Sequence, residues 1–184
     1  MNTSLAIAVL LLLAGCAGFD RVSGGELDVY GMPSVGTTIV LKESLFVPAG
    51  QTRVYLQGGA VVSKAKMDRY LPNCNFEIQS LSEDAQEIRP ESFIVSRLQR
   101  EMAQVVMLDA PLMVAGLNLA GLDGGVPMIF RGVHMWISSD LQPEVMRLTC
   151  RGVLEDMIWA RPPSIREMRT AMGEKAEIIL PEQR

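Results

Sequence analysis

Short runs in which apolar and polar residues alternate recur along this chain, and they limit what it can fold into. In one run Cys74, Phe76 and Ile78 occupy alternate positions, and in another Met146, Leu148 and Cys150 do so. Successive side chains of a strand point to opposite faces, so each run predicts a strand with one buried face. The opposite faces of these two strands are predicted to carry Asn75, Glu77, Gln79, Arg147, Thr149 and Arg151.

Turn-forming residues separate the runs and set the predicted strand boundaries. Pro, Ala and Gly follow one another at 48–50, and Asp-Gly-Gly stands at 123–125. Residues 98–108 fit both the spacing of a helix and, at their end, a short buried strand. The pattern predicts a mainly β chain, folded as a single antiparallel β-sandwich or small barrel. Strands are predicted at 37–41, 45–47, 53–56, 61–62, 75–80, 93–97, 127–138, 145–154 and 175–180.

One short helix is predicted near the C-terminus. Ser164 stands three residues before Glu167, which is the spacing of a capping box. Gly173 is placed to end the helix, since glycine commonly follows the last helical residue. The apolar stripe of this helix is predicted to consist of Ile165, Met168 and Met172.

The N-terminus has the composition of an export signal. No charged side chain occurs in residues 1–15, and an apolar run of ten residues extends from Leu5 to Ala14. A helix that crosses a bilayer needs about 20 apolar residues, so this run is too short to span one. Its length is typical of the apolar region of a secretory signal. An N-terminal buried helix of a cytosolic protein is the alternative.

The apolar run closes on the sequence Leu-Ala-Gly-Cys at residues 13–16. This pattern resembles the lipobox of bacterial lipoproteins. The resemblance implies that residues 1–15 are removed and that Cys16 becomes a lipidated N-terminal residue, anchored to the membrane by several acyl chains. Because Ala17 rather than Asp follows the cysteine, the family rule favours the outer membrane, with the protein on its periplasmic side.

The chain after the signal divides into a tether and a domain. Residues 16–25 contain several glycines and a serine, and they are predicted to form a flexible, lipidated tether. Residues 26–184 are predicted to form one β-rich globular domain, since their length suits a single core. The segment from Val47 through Cys74 also resembles proteobacterial lipoproteins, a likeness that implies no particular activity.

Two cysteines, Cys74 and Cys150, remain once Cys16 is assigned to the anchor. The alternation described above turns both sulfurs toward the interior. An even pair of cysteines in an exported protein favours a disulfide, because the compartment is oxidising. Two separate buried thiols are the alternative.

The charge of the chain argues against a nucleic-acid partner. Its formal net charge is −4 and its isoelectric point is near 5.1, whereas proteins that bind nucleic acid carry a concentrated basic surface. The densest basic stretch contains Lys64, Lys66 and Arg69, but Asp68 interrupts it. That stretch is predicted to be a solvated face.

The sequence contains no catalytic constellation that can be assigned with a mechanism. His134 is the single histidine and stands inside a predicted strand, with Ser138, Ser139 and Asp140 nearby. The Gly-x-Ser-x-Gly signature of a nucleophilic serine is absent, so no catalytic residue is assigned. One histidine and two interior cysteines do not supply the four ligands of a zinc site. No metal site and no cofactor are predicted, and the scattered methionines are interpreted as core residues.

Three functions follow from these observations. The first is a non-enzymatic, lipid-anchored envelope protein whose β domain binds an envelope partner in a structural or assembly role. The second is a carrier or sensor of a small apolar molecule, because residues 112–122 are apolar and nearly uncharged. The third is a hydrolase centred on His134.

Overall fold

The structure is a computed structural model that describes residues 31–105 and 127–181, together with the backbone of two short strands between those ranges. The helix α1 spans Ile165–Met172, and a 3₁₀ turn at Gly173–Lys175 follows it. The strands are β1 (Thr38–Leu41), β2 (Leu45–Val47), β3 (Arg53–Gln57), β4 (Ala60–Val62), β5 (Asn73–Ile78), β6 (Gln86–Ile88), β7 (Glu91–Gln104), β8 (Met113–Val114), β9 (Leu117–Asn118), β10 (Met128–Ser138), β11 (Val145–Arg151), β12 (Glu155–Asp156) and β13 (Ala176–Ile179).

Most of these strands belong to one antiparallel sheet. Its order is β13-β1-β7-β10-β11-β5-β3-β4, and β12 pairs with β10 beside this path. The pairs β2–β6 and β8–β9 form two small separate sheets. The large sheet curls into a half-barrel, as the right-handed twist between neighbouring strands accumulates across it. The predicted mainly β, antiparallel fold with one short C-terminal helix is therefore confirmed.

The inner face of the half-barrel, defined as the face that carries the hydrophobic core, is covered by α1. This helix packs against β13, β5 and β3. Because β13 is one edge of the sheet and β3 lies next to the other edge, α1 bridges the open side of the half-barrel. Each large apolar side chain fully buried there contributes about 1.5–3 kcal/mol. The core includes Ile39, Phe76, Phe93, Met135, Leu148, Met168 and Met172.

The start of α1 is the predicted capping box. The Ser164 hydroxyl accepts a hydrogen bond from the Glu167 backbone N–H, and the Glu167 carboxylate accepts one from the Ser164 backbone N–H at 2.7 Å. Arg161 binds the same carboxylate with its guanidinium group at 2.6 and 2.7 Å. The Arg161 and Ser164 hydrogen bonds lower the pKa of Glu167 to about 2. The helix therefore begins where the sequence predicted.

At the end of α1, Gly173 lies in close contact with Gly59 at one edge of the sheet. Gly173 has a φ of +58°, a conformation that residues with a side chain rarely adopt. A Cβ atom at Gly173 would lie 2.5 Å from the Cα of Gly59, in the turn between β3 and β4. The Gly59 N–H donates to the Ala171 carbonyl at 3.1 Å. These contacts hold the helix end against one edge of the sheet.

The predicted disulfide between Cys74 and Cys150 is present. The two residues are directly opposite each other in the antiparallel pair of β5 and β11, with Cα atoms 4.1 Å apart. Both side chains are fully buried on the inner face, as the alternation predicted. The bridge joins two neighbouring strands through cysteines that are 76 positions apart in the sequence.

Three differences from the predicted elements have local causes. For residues 98–104 the sequence pattern fitted either a helix or a strand. In the structure they continue β7, because this segment pairs with β10 along its length. The sequence pattern does not predict the strand β6, because its three residues, Gln-Glu-Ile, are too few to show an alternation of apolar and polar residues. Residues 152–154 were predicted as strand, but β11 ends at Arg151. Residues 1–15 and the tether lie outside the described residues.

Candidate functional site

The outer face of the half-barrel, opposite the core, carries rows of polar side chains. Strand register places Arg97, Trp136, Arg147, Glu77 and Arg53 side by side on the neighbouring strands β7, β10, β11, β5 and β3. Residues directly opposite in an antiparallel pair have Cβ atoms about 4.5–5.5 Å apart, so their side chains interact. We call these five residues the arginine–tryptophan row.

Trp136 is the aromatic centre of this row. The guanidinium carbon of Arg97 lies 4.4 Å from the centroid of the indole ring, and that of Arg147 lies 5.2 Å away. A cation over an aromatic face is attracted by about 0.5–1 kcal/mol at exposed sites. Trp136 is half-buried and Arg97 is exposed. The row therefore presents an aromatic ring and positive charge on an accessible part of the surface.

Glu77 lies between Arg147 and Arg53 in the row. Its carboxylate accepts hydrogen bonds from Arg53 at 2.8 Å and from the Nε of Arg147 at 2.7 Å. Its side chain is only 8% exposed. Burial raises the pKa of Glu77, but the hydrogen bonds and charges of the two arginines outweigh burial, so this pKa lies below its usual value. Glu77 therefore stays ionised and orients Arg147 toward the indole ring.

A second row contains His134, Thr149 and Asn75, which register places side by side on β10, β11 and β5. The Nδ1 of His134 and the Oγ1 of Thr149 are 2.8 Å apart. Burial lowers the pKa of His134 below its ordinary value, so the ring is neutral at pH 7. A neutral histidine beside a hydroxyl has the chemistry of a general base and a nucleophile. However, Thr149 is only 2% exposed, so a substrate has little access to its hydroxyl.

The structure does not bring together His134 and the serines that the sequence placed near it. Ser138 lies four residues further along β10, which corresponds to a distance of about 13 Å. The Ser139 hydroxyl instead donates to Glu91. Ser138 is exposed at the end of β10, and Asp140 is exposed just after that strand. These residues do not form a nucleophile–base pair with His134.

Asparagines on the outer face are buried without full hydrogen bonding among the described residues. Asn73 is fully buried, and neither its side-chain oxygen nor its side-chain nitrogen has a partner there. The Oδ1 of Asn75 and the Nε1 of Trp136 are likewise unpartnered in the part of the chain that the structure describes. Alternation predicted the face on which Asn75 and Glu77 lie. It did not reveal that β5 is buried on both of its faces.

The remaining predicted residues are placed as follows. Cys16 lies outside the described residues, and so do the side chains of residues 112–122, where only the backbone of β8 and β9 is described. Lys64, Lys66 and Arg69 are exposed, as expected for a solvated face. Within residues 31–105 and 127–181, no three His, Cys, Asp or Glu side chains are grouped to hold a metal ion.

Comparisons with known proteins identify no relative. No protein-family model, no curated protein and no solved structure matches this chain. In the ranges that the structure describes, no helix is both long enough and apolar enough to cross a membrane.

Proposed function

We propose that this chain is a lipid-anchored protein of the cell envelope, attached through Cys16 to the periplasmic side of the outer membrane. Its β domain binds an envelope protein partner and catalyses no reaction. The sequence at residues 13–16 supports the anchor, and the short apolar run before it supports export. The oxidising compartment implied by export is consistent with the disulfide between Cys74 and Cys150.

The arginine–tryptophan row is the observation that carries the binding proposal. Tryptophan and arginine are the residues most enriched among those that dominate binding energy at protein interfaces. Here Arg97 and Arg147 flank Trp136, and Glu77 holds Arg147 in place before any partner arrives. Groups ordered in advance lose less entropy on binding. A partner that presents carboxylates would match the exposed guanidinium group of Arg97 and the partly exposed one of Arg147.

The other two functions are less well supported by the described residues. A hydrolase centred on His134 would need an accessible nucleophile, and Thr149 is buried. A carrier of an apolar molecule would need an apolar cavity, but the inner face of the half-barrel carries the packed hydrophobic core, to which α1 contributes Met168 and Met172. A shallow groove of about 360 Å³ beside the end of α1 is lined by charged groups that include Lys42, Arg169 and Glu177. The segment 112–122, on which the carrier hypothesis depends, lies mostly outside the described residues.

Substitution of the proposed anchor residue tests the attachment. We expect Cys16→Ser to move the protein out of the membrane fraction and to remove the lipid mass from the purified chain. Cys150→Ser is the matched control and should retain that mass, because Cys150 lies in the domain core. Fractionation and mass spectrometry measure both outcomes. Unchanged fractionation and mass in Cys16→Ser would contradict the anchor.

In-cell photo-crosslinking tests the binding surface. A photo-reactive amino acid at Gln99, which is exposed and next to Arg97 on the same face of the sheet, should capture a specific envelope protein. We expect Trp136→Ala and Arg97→Ala each to reduce this capture by about tenfold, as loss of a dominant interface residue does. Capture is quantified by immunoblot against the amount of folded, disulfide-bonded protein.

Arg100→Ala is the matched control for Arg97→Ala. Arg100 is also an exposed arginine of β7, but it stands opposite Val133 in register and so belongs to the other face of the sheet. Arg100→Ala should leave the amount of crosslinked partner unchanged. Equal loss from Arg97→Ala and Arg100→Ala would mean that only general charge matters. Full capture by Trp136→Ala would show that the partner binds elsewhere.

A further inference from the structure

Five exposed apolar side chains lie on two loops at one end of the half-barrel. Ile158 and Trp159 are the most prominent, with 74% and 71% of their surface exposed. The set, which we call the apolar end surface, consists of Tyr70, Leu71, Met157, Ile158 and Trp159. Folded proteins seldom expose adjacent large apolar side chains unless they contact another phase or partner.

The two loops are held in place by hydrogen bonds. The Leu154 N–H donates to the Arg69 carbonyl at 2.8 Å, which ties the loop before β5 to the segment after β11. The Trp159 and Ala160 N–H groups both donate to the Asp156 carbonyl, at 2.9 and 2.8 Å. These bonds close a tight turn directly after β12, which itself pairs with β10. The turn therefore projects Met157, Ile158 and Trp159 from a fixed base.

The composition of this surface suits the interface of a phospholipid bilayer. Tryptophan and tyrosine concentrate at membrane interfaces, since their rings are apolar and their N–H or O–H groups reach water. Aliphatic side chains beside them bury apolar area among the lipid headgroups and upper acyl chains. Lys64, Lys66 and Arg69 are exposed on the same loop as Tyr70, but Asp68 lies among them. The surface therefore relies on apolar contact more than on anionic lipid.

The described chain begins beside the start of α1. The Ile165 N–H donates to the Gly31 carbonyl at 2.9 Å. Ile165 follows Trp159 by six residues, so Gly31 lies within about 22 Å of the apolar end surface. Gly31 is fifteen residues from Cys16, a length of chain that spans about 54 Å at most. A lipid anchor at Cys16 would thus allow the apolar end surface to reach the membrane.

We propose that the apolar end surface rests on the bilayer, with the turn at Met157, Ile158 and Trp159 inserted among the headgroups. This inference deepens the proposed function and depends on the anchor at Cys16. The contact orients the domain so that its outer face, with the arginine–tryptophan row, stands beside the membrane and open to a partner. A single lipid tether alone would leave the domain free to tumble.

Fluorescence of single-tryptophan variants tests this orientation, because the chain contains only Trp136 and Trp159. The full-length protein, purified from cells, is reconstituted into phosphatidylcholine vesicles with and without brominated acyl chains. In Trp136→Phe, the emission of Trp159 should shift to the blue and lose most of its intensity to the brominated lipid. In the matched variant Trp159→Phe, the emission of Trp136 should change little. Circular dichroism checks the fold, and Trp136→Tyr replaces Trp136→Phe if that variant does not fold.

The outcomes separate this inference from the anchor. Vesicles that float with the protein while Trp159 remains unquenched would overturn the membrane contact and leave the anchor standing. That result would indicate that the surface binds a protein instead. In the absence of vesicles, a blue shift of Trp159 emission that grows with protein concentration would also overturn the membrane contact. It would show that the apolar end surface binds a second copy of this protein. Protein that does not float with the vesicles would contradict the anchor and the contact together.

Discussion

Replacing both Cys74 and Cys150 with alanine should lower the free energy of unfolding by about 4 kcal/mol. The disulfide closes a loop across a sequence separation of 76 residues, so it removes much of the conformational entropy of the unfolded chain. Both sulfurs are also fully buried in the core. Urea titrations of the wild type and the double variant, followed by circular dichroism under non-reducing conditions, measure this loss.

Reduction of the wild type supplies the control for this prediction. Reduced wild type and the double variant should unfold at similar urea concentrations, since both lack the bridge. The single variants Cys74→Ala and Cys150→Ala should resemble them. If reduction left the midpoint of the wild type unchanged, the two sulfurs would be separate thiols in solution and the predicted bridge would be wrong.

Glu77→Gln should destabilise the domain by about 3 kcal/mol at pH 7, since removing one member of a buried ion pair leaves its partner charge uncompensated. The substitution keeps the shape of the side chain and removes its charge. Arg53 and Arg147 then face each other across a buried amide instead of sharing a carboxylate. The same urea titration measures the effect. Glu87→Gln is the control, because Glu87 is an exposed carboxylate on β6 and should cost little.

The cost of Glu77→Gln should also depend on pH. The folded-state pKa of Glu77 lies below its usual value, so its contribution is fully present above the unfolded pKa of about 4.3. That contribution is lost as the pH falls through the depressed folded pKa. The gap in stability between wild type and variant should therefore narrow below about pH 4. Glu167 has a pKa lowered to about 2, and its protonation in acid destabilises wild type and variant equally. It therefore does not change the difference in stability between the two proteins. A gap that stays constant from pH 7 to pH 3 would contradict the role assigned to Glu77.

In the long strand β7, pairing with a neighbouring strand determines the secondary structure, and the local sequence pattern does not. Leu98 and Met102 have the spacing of a helical stripe, yet both belong to a strand. Their segment pairs with β10 from Arg97 to Gln104, and the hydrogen bonds of that pairing outweigh a weak helical preference. The capped helix α1 was predictable because all its signals, from Ser164 to Gly173, are local.

The candidate site was predictable only in part. The alternation around Cys74 and Cys150 placed Glu77 and Arg147 on the face opposite the sulfurs, and they lie there. Nothing in the sequence joined them to Trp136 or to Arg97, although both of these residues lie in predicted strands. These residues meet because four neighbouring strand pairs have a matching register. Register across the sheet depends on how the whole core packs.

The sequence by itself determined the strand-rich class, the inward direction of both cysteines, the capped helix and the pattern at Cys16 that predicts an anchor. Each of these depends on residues close together in the chain. Only the tertiary structure decided that the sheet curls around α1, that β5 is buried on both of its faces, and that Trp136 lies between Arg97 and Arg147. It also brought the loops of Tyr70 and Trp159 to one end. These features join residues far apart in the chain, whose contacts form only when the core has set the position of every strand.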